Sequence, residues 1–189
     1  MKQLVTIVSI YLIMSCSTED ESKDQMIYKR YIQGSINSKI ESYPQVDLDG
    51  VNTSNTFFSK SKETWLQAYE NNLHISKDGH WVIRIHDLDI LSISLPYSNW
   101  EKASANISWD DNLTTEDTRC VGVDAGCDFI ASTDDDLNFI ITEVSNHFIT
   151  GEFSGRFSLT GTGFGGFRDK SEFVDVENGS FKIKFEITD

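Results

Sequence analysis

Four histidines, three cysteines and 30 acidic residues are the groups in this 189-residue chain that could do chemistry. His80 and His86 lie six apart, so on an extended strand they share a face but stand about 20 Å apart, too far for one metal ion. A histidine from a neighbouring strand could join either one. Exposed histidines on a wet strand face are the plainer reading. The acidic candidates are Asp124 and Asp128, which flank a cysteine, and the turn Asp134-Asp135-Asp136. Calcium takes about 6–8 oxygens in flexible geometry, so two converging acidic loops would suit it; solvated turns need no ion. Asp47-x-Asp49-Gly50-x-Asn52 begins like a calcium loop, but its twelfth position is Phe58, where a bidentate glutamate is required. The expectation is no cofactor, with Ca2+ the one ion these acids would fit.

Covalent and hydrolytic chemistry finds little support. No serine occupies Gly-x-Ser-x-Gly, and Ser154 falls inside an alternating strand pattern. Carboxylates roughly 5–10 Å apart across a cleft would serve glycoside hydrolysis, yet 30 acids supply such pairs by chance. Gly161-Thr162-Gly163-Phe164-Gly165-Gly166 spells Gly-x-Gly-x-x-Gly, but Phe167-Arg168-Asp169-Lys170 carries no apolar helical stripe. A dinucleotide site needs a helix there, so the segment reads as a loop between strands. Phe164 and Phe167 in that loop, with Tyr97 and Trp100 in 96–104, are the candidate ligand contacts; such rings stack on sugars or fill protein pockets. Core packing competes for Trp100 and Trp109.

Cys120 and Cys127 enclose six residues that include Gly122 and Gly126. A redox pair usually sits two residues apart and a structural zinc site wants four ligands, so a disulfide staple is favoured, stabilising by about 2–3 kcal/mol. That expectation needs an oxidising compartment. Residues 1–16 supply one. Met1-Lys2 precedes 11 largely apolar residues, Leu4–Met14, and then Ser15-Cys16. A span needs roughly 20 apolar residues, so this reads as an export signal.

The junction Leu12-Ile13-Met14-Ser15-Cys16 resembles a bacterial lipobox, which implies cleavage before a diacylated Cys16. Ser15 and Cys16 match the pattern; Ile13 and Met14 depart from its usual residues. Ser17 after the cysteine resembles lipoproteins sorted to the outer membrane, and Ser17-Thr18-Glu19-Asp20-Glu21 resembles the acidic tag of surface lipoproteins in Bacteroidota. A solvated tether would look the same, and a periplasm-facing anchor is the alternative.

Strands must position whatever these residues do. Phe181, Ile183, Phe185 and Ile187 alternate with Lys182, Lys184 and Glu186, and Asn178-Gly179 before them reads as a tight turn back to Val174 and Val176. His147 to Thr160 puts Ile149, Phe153, Phe157 and Leu159 on one face, with Gly151 and Gly155 leaving room there for a ring or a bend. Asn138–Glu143 reads as its antiparallel predecessor. Trp81, Ile83 and Ile85 alternate with Val82, Arg84 and His86, with Lys77-Asp78-Gly79 as the turn from Leu73–Ser76. A corner near Asp87 then leads to a strand Ile90–Leu95. Tyr28–Ile40 and Ala105–Trp109 add two more. Residues 61–72 suit a short helix or a strand, with strand slightly preferred.

Ile149-Thr150-Gly151-Glu152-Phe153-Ser154-Gly155 and Val176-Glu177-Asn178-Gly179-Ser180-Phe181, with the lipobox-like signal, resemble β-rich outer-membrane lipoproteins common in Bacteroidota. The resemblance covers about a third of the chain and implies location and fold, not a mechanism.

The expectation is an all-β chain, an antiparallel β-sandwich or partly closed barrel of about ten strands with at most one short helix. Residues 1–15 are the lipoprotein signal peptide, 16–26 an acidic flexible tether and 27–189 one domain. A formal charge of −14 disfavours nucleic acid. The leading function is a non-enzymatic surface binding module, held to the membrane through Cys16, with a protein or glycan partner. An envelope hydrolase with paired carboxylates and an acidic partner of a basic protein are the alternatives.

Overall fold

Phe148–Gly161 (β9) pairs with three other strands, and the sheet is organised around it. The computed structural model describes residues 30–45, 57–59, 62–69, 79–110, 127–145, 147–161 and 166–188. These hold eleven strands and no helix. Before β9 come β1 (Tyr31–Ile36), β2 (Lys39–Pro44), β3 (Phe57–Ser59), β4 (Thr64–Tyr69), β5 (His80–His86), β6 (Ser104–Asp110), β7 (Cys127–Ser132) and β8 (Leu137–Val144). After it come β10 (Arg168–Lys184) and β11 (Glu186–Thr188).

All eleven join one sheet in the order β11-β3-β4-β5-β6-β7-β9-β10-β1-β2, with β8 also on β9. Every pairing is antiparallel except β11 with β3. Because β11 continues β10 past Phe185, its pairing with β3 brings the sheet back to its own start. The result is a nearly closed barrel rather than a two-sheet sandwich. Its interior is filled by rings. Trp81, Phe139, Phe157 and Phe181 are fully buried, Trp81 meets Trp109 at 6.0 Å and Phe153 at 5.5 Å, and Phe139 stacks on Phe181 at 5.4 Å. Burying each such side chain stabilises by about 1.5–3 kcal/mol, and a barrel this size is packed by its own side chains.

Gly151 earns its place on the apolar side of β9. A Cβ there would lie 2.5 Å from the Phe181 ring, so the missing side chain is what lets that ring lie flat on the strand.

Several sequence expectations change. Asn178-Gly179 is not a hairpin turn: β10 runs straight through it, and the register against β9 slips between Val176 and Gly179. Asn178 has φ 51°, the left-handed conformation that a turn and a bulge both use, so the sequence signal was the same for either. The alternation also ends early, since Phe185 is buried but Ile187 is 51 % exposed. Tyr28–Ile40 is not one strand. Its described part divides at Asn37-Ser38, with φ of 50° and 65°, into the β1–β2 hairpin. Ile90–Leu95 is a loop, not a strand. Asp89 turns the chain by accepting from Leu91 N–H at 3.2 Å and from the Ser92 hydroxyl at 2.9 Å. The partner of β5 is β4, in register Tyr69↔His80; Leu73–Ser76 lies outside the described residues. Residues 64–69 are strand, and the corner at Asp87 is present with φ 60°.

Candidate functional site

Trp81 on β5, Trp109 on β6 and Phe129 on β7 pair across the sheet and point into the barrel. Side chains alternate along a strand, so each neighbour on the next pleat points outward. Those neighbours are His80, Asp110 and Asp128. His80 pairs directly with Asp110, Asp128 follows one step beyond the Trp109↔Phe129 pair, and Asp128 in turn faces Thr160 on β9. Three potential metal ligands from three adjacent strands therefore form one row on the outer wall.

His80 Nδ1 is 3.8 Å from Asp110 Oδ2 and His80 Nε2 is 3.8 Å from Asp128 Oδ2. The three side chains are only 22 %, 14 % and 19 % exposed. One ligand atom from each lies within 4.8 Å of the other two. The next outward row, Gln67, Val82, Ser108 and Ser158, is buried although it faces away from the core. Two carboxylates thus stand on neighbouring strands beside a sheltered patch, where like charges repel more strongly than in open water.

A second outward feature lies on β8, β9 and β10. Glu177 and Asn178 bulge opposite Ser154, and the strand surface dips there into an open depression of about 520 Å³. Asn138, Glu152, Ser154, Glu177, Asn178 and Ser180 line it with amide, hydroxyl and carboxylate groups.

The aromatic candidates are placed differently from each other. Tyr97 and Trp100 meet edge to face at 5.0 Å, Trp100 packs on Phe139 at 5.3 Å, and its indole N–H donates to the Phe139 carbonyl at 2.8 Å. Tyr97 also bridges Ile141 through its backbone, and burial pushes its phenol above the usual value. Both rings are half-buried and pack against the barrel edge. Phe167 is tucked against Cys127 and Leu159, and its carbonyl accepts from Gly161 N–H at 2.8 Å. It packs, half-buried, at the end of the barrel. Trp109 is core.

Among the acids, Asp135 is held by Lys170 Nζ and Arg168 Nη2, each at 2.8 Å, and these contacts keep its carboxyl below the ordinary value of 3.8. The two cations rise from β10 while Asp135 sits in the β7–β8 turn, so the pairs span β9. Both cations sit on Oδ2 of this carboxylate. Asp134 and Asp136 are exposed turn residues. Among the described residues, Asp128 alone of the acids singled out by sequence is brought to other potential metal ligands. Cys16, Cys120, Asp124, Phe164, His74 and the Asp47–Asn52 stretch lie outside the described residues.

Sequence reasoning missed Asp110 and set His80 aside. Each directly flanks a tryptophan in its strand, and that inward-pointing ring was the signal that its polar neighbour faces out. Compared with protein-family models, curated proteins and solved structures, the chain matches none of them.

Proposed function

We propose that this chain is a lipid-anchored, non-enzymatic binding module of the bacterial outer membrane, displayed at the cell surface, whose ligand is a polar, hydroxyl-rich molecule such as a glycan. The lipobox-like Leu12–Cys16 and the acidic residues after it support the anchor and the tether. The observation that carries the binding role is the filled interior. Trp81, Phe139, Phe157 and Phe181 occupy the space that ligand-holding barrels leave open, so recognition falls to the outer wall. There the β8–β10 depression presents Glu152 and Glu177 as acceptors, Ser154 and Ser180 as hydroxyls, and the amides of Asn138 and Asn178, the group types that hydrogen-bond sugars.

An exported barrel also favours a Cys120–Cys127 staple. Cys127 is buried at the start of β7, and Cys120 is the nearest cysteine in the chain.

A glycan array probed with the detergent-solubilised full chain tests the proposal. Binding that falls about tenfold in Glu152→Ala and in Asn138→Ala, a loss of about 1.4 kcal/mol, is the expected result. Binding unaffected by both substitutions, or absent from the array, overturns it. Turnover of a bound glycan that stops in Glu152→Gln would instead make the chain a hydrolase.

A further inference from the structure

We propose that His80, Asp110 and Asp128 hold a first-row divalent transition ion, with Zn2+ the best fit, on the outer wall of the barrel. The inference is independent of the glycan reading, because the row lies on β5, β6 and β7 and the depression on β8 to β10.

Donor type selects the ion. One imidazole nitrogen with two carboxylates suits zinc and its neighbours, whereas calcium asks for about 6–8 oxygens and no nitrogen. Geometry allows it. One ring nitrogen of His80 and one oxygen from each carboxylate lie within 4.8 Å of one another, close to the ~4.4 Å that ligands about 2.0–2.2 Å from one ion can span. Only one ring nitrogen would ligate, with one oxygen from each carboxylate.

Strand register fixes Asp110 and Asp128 next to each other with the His80 ring between them, and a bound dication would relieve the repulsion of the two like charges. Their flank is the sheltered row of Gln67, Val82, Ser108 and Ser158, where that repulsion is weakly screened. A dication would neutralise both carboxylates at any pH where they are ionised. Three protein donors would leave zinc a fourth position facing outward, open to water or to a donor from a partner.

The purified full chain, stripped with a chelator and titrated with ZnCl2 by calorimetry, tests this. The expected result is one zinc per chain, with His80→Gln and Asp128→Asn each weakening binding by more than the roughly 10–100-fold that losing an outer-shell partner costs a metal site. Substituted Co2+ should give visible bands of a four- or five-coordinate nitrogen and oxygen site. This measurement on the unsubstituted chain does not depend on the variants folding. Zinc binding unchanged in both folded variants, a thiolate-to-cobalt charge-transfer band, or no binding at millimolar zinc overturns the proposal.

Discussion

The Gln45 carboxamide pairs with both backbone groups of Lys184: its Nε2–H donates to the carbonyl at 2.6 Å and its Oε1 accepts from the N–H at 2.8 Å. One side chain thus imitates a strand residue where β2 ends and β10 is about to cross toward β3. The contact is exposed, so each bond is worth the lower part of the usual ~0.5–1.5 kcal/mol. Gln45→Ala should cost about 1 kcal/mol in urea unfolding. Gln45→Glu should cost more than Gln45→Ala, since it sets a carboxylate against the Lys184 carbonyl. Equal stability of all three proteins would contradict this.

Gly151 and Phe181 should be energetically coupled. Gly151→Ala puts a methyl 2.5 Å from the Phe181 ring and also against the Ile140 carbonyl, an overpacking that typically costs about 1–3 kcal/mol. Phe181→Leu alone costs stability by leaving a gap. A double-mutant cycle should find the pair less destabilised than the sum, with rescue incomplete because the backbone contact remains. Simple additivity would show that the ring does not depend on the glycine.

Asn178 should accept glycine and reject a β-branched residue. Its φ of 51° is left-handed, costing a non-glycine residue roughly 1–2 kcal/mol, and asparagine bears this better than most. Asn178→Gly should unfold at or above the wild-type midpoint and Asn178→Val clearly below it. The same order in glycan binding would tie the bulge to the depression.

Asp135 should contribute to acid sensitivity. Folding lowers its pKa, chiefly through the Lys170 hydrogen bond, so the folded state binds protons less readily than the unfolded chain. Its contribution is therefore fully present above the ordinary carboxylate value of 3.8 and is lost as pH falls through the lower folded value. Asp135→Asn should have a lower melting temperature than wild type at neutral pH, and the gap should close in strong acid. Added salt should shrink it, because the pairs are exposed. A gap that persists at the acid extreme would rule out ionisation as its source.

Much of the barrel was legible because alternation is a local property. Ile149, Phe153, Phe157 and Leu159 read as one buried face of β9, and all four are buried. Positive-φ positions misled in both directions. Asn178-Gly179 carries a turn signature but forms a bulge, and Asn37-Ser38 makes the first hairpin with no glycine to announce it. Ile90–Leu95 kept an apolar rhythm while the Asp89 side chain had already turned the chain. The His80–Asp110–Asp128 row was out of reach because it exists only through register. Asp128 lies 18 residues from Asp110 and 48 from His80, and no local pattern encodes which residues of three strands stand side by side.

The account rests most on Cys16. Intact-mass spectrometry of the chain recovered from the membrane fraction of its native cells is the direct measurement. The expected mass lacks residues 1–15 and carries a diacylglyceryl group on a new N-terminal cysteine. A chain found in the soluble fraction with an unmodified Cys16 would contradict the anchored binding module.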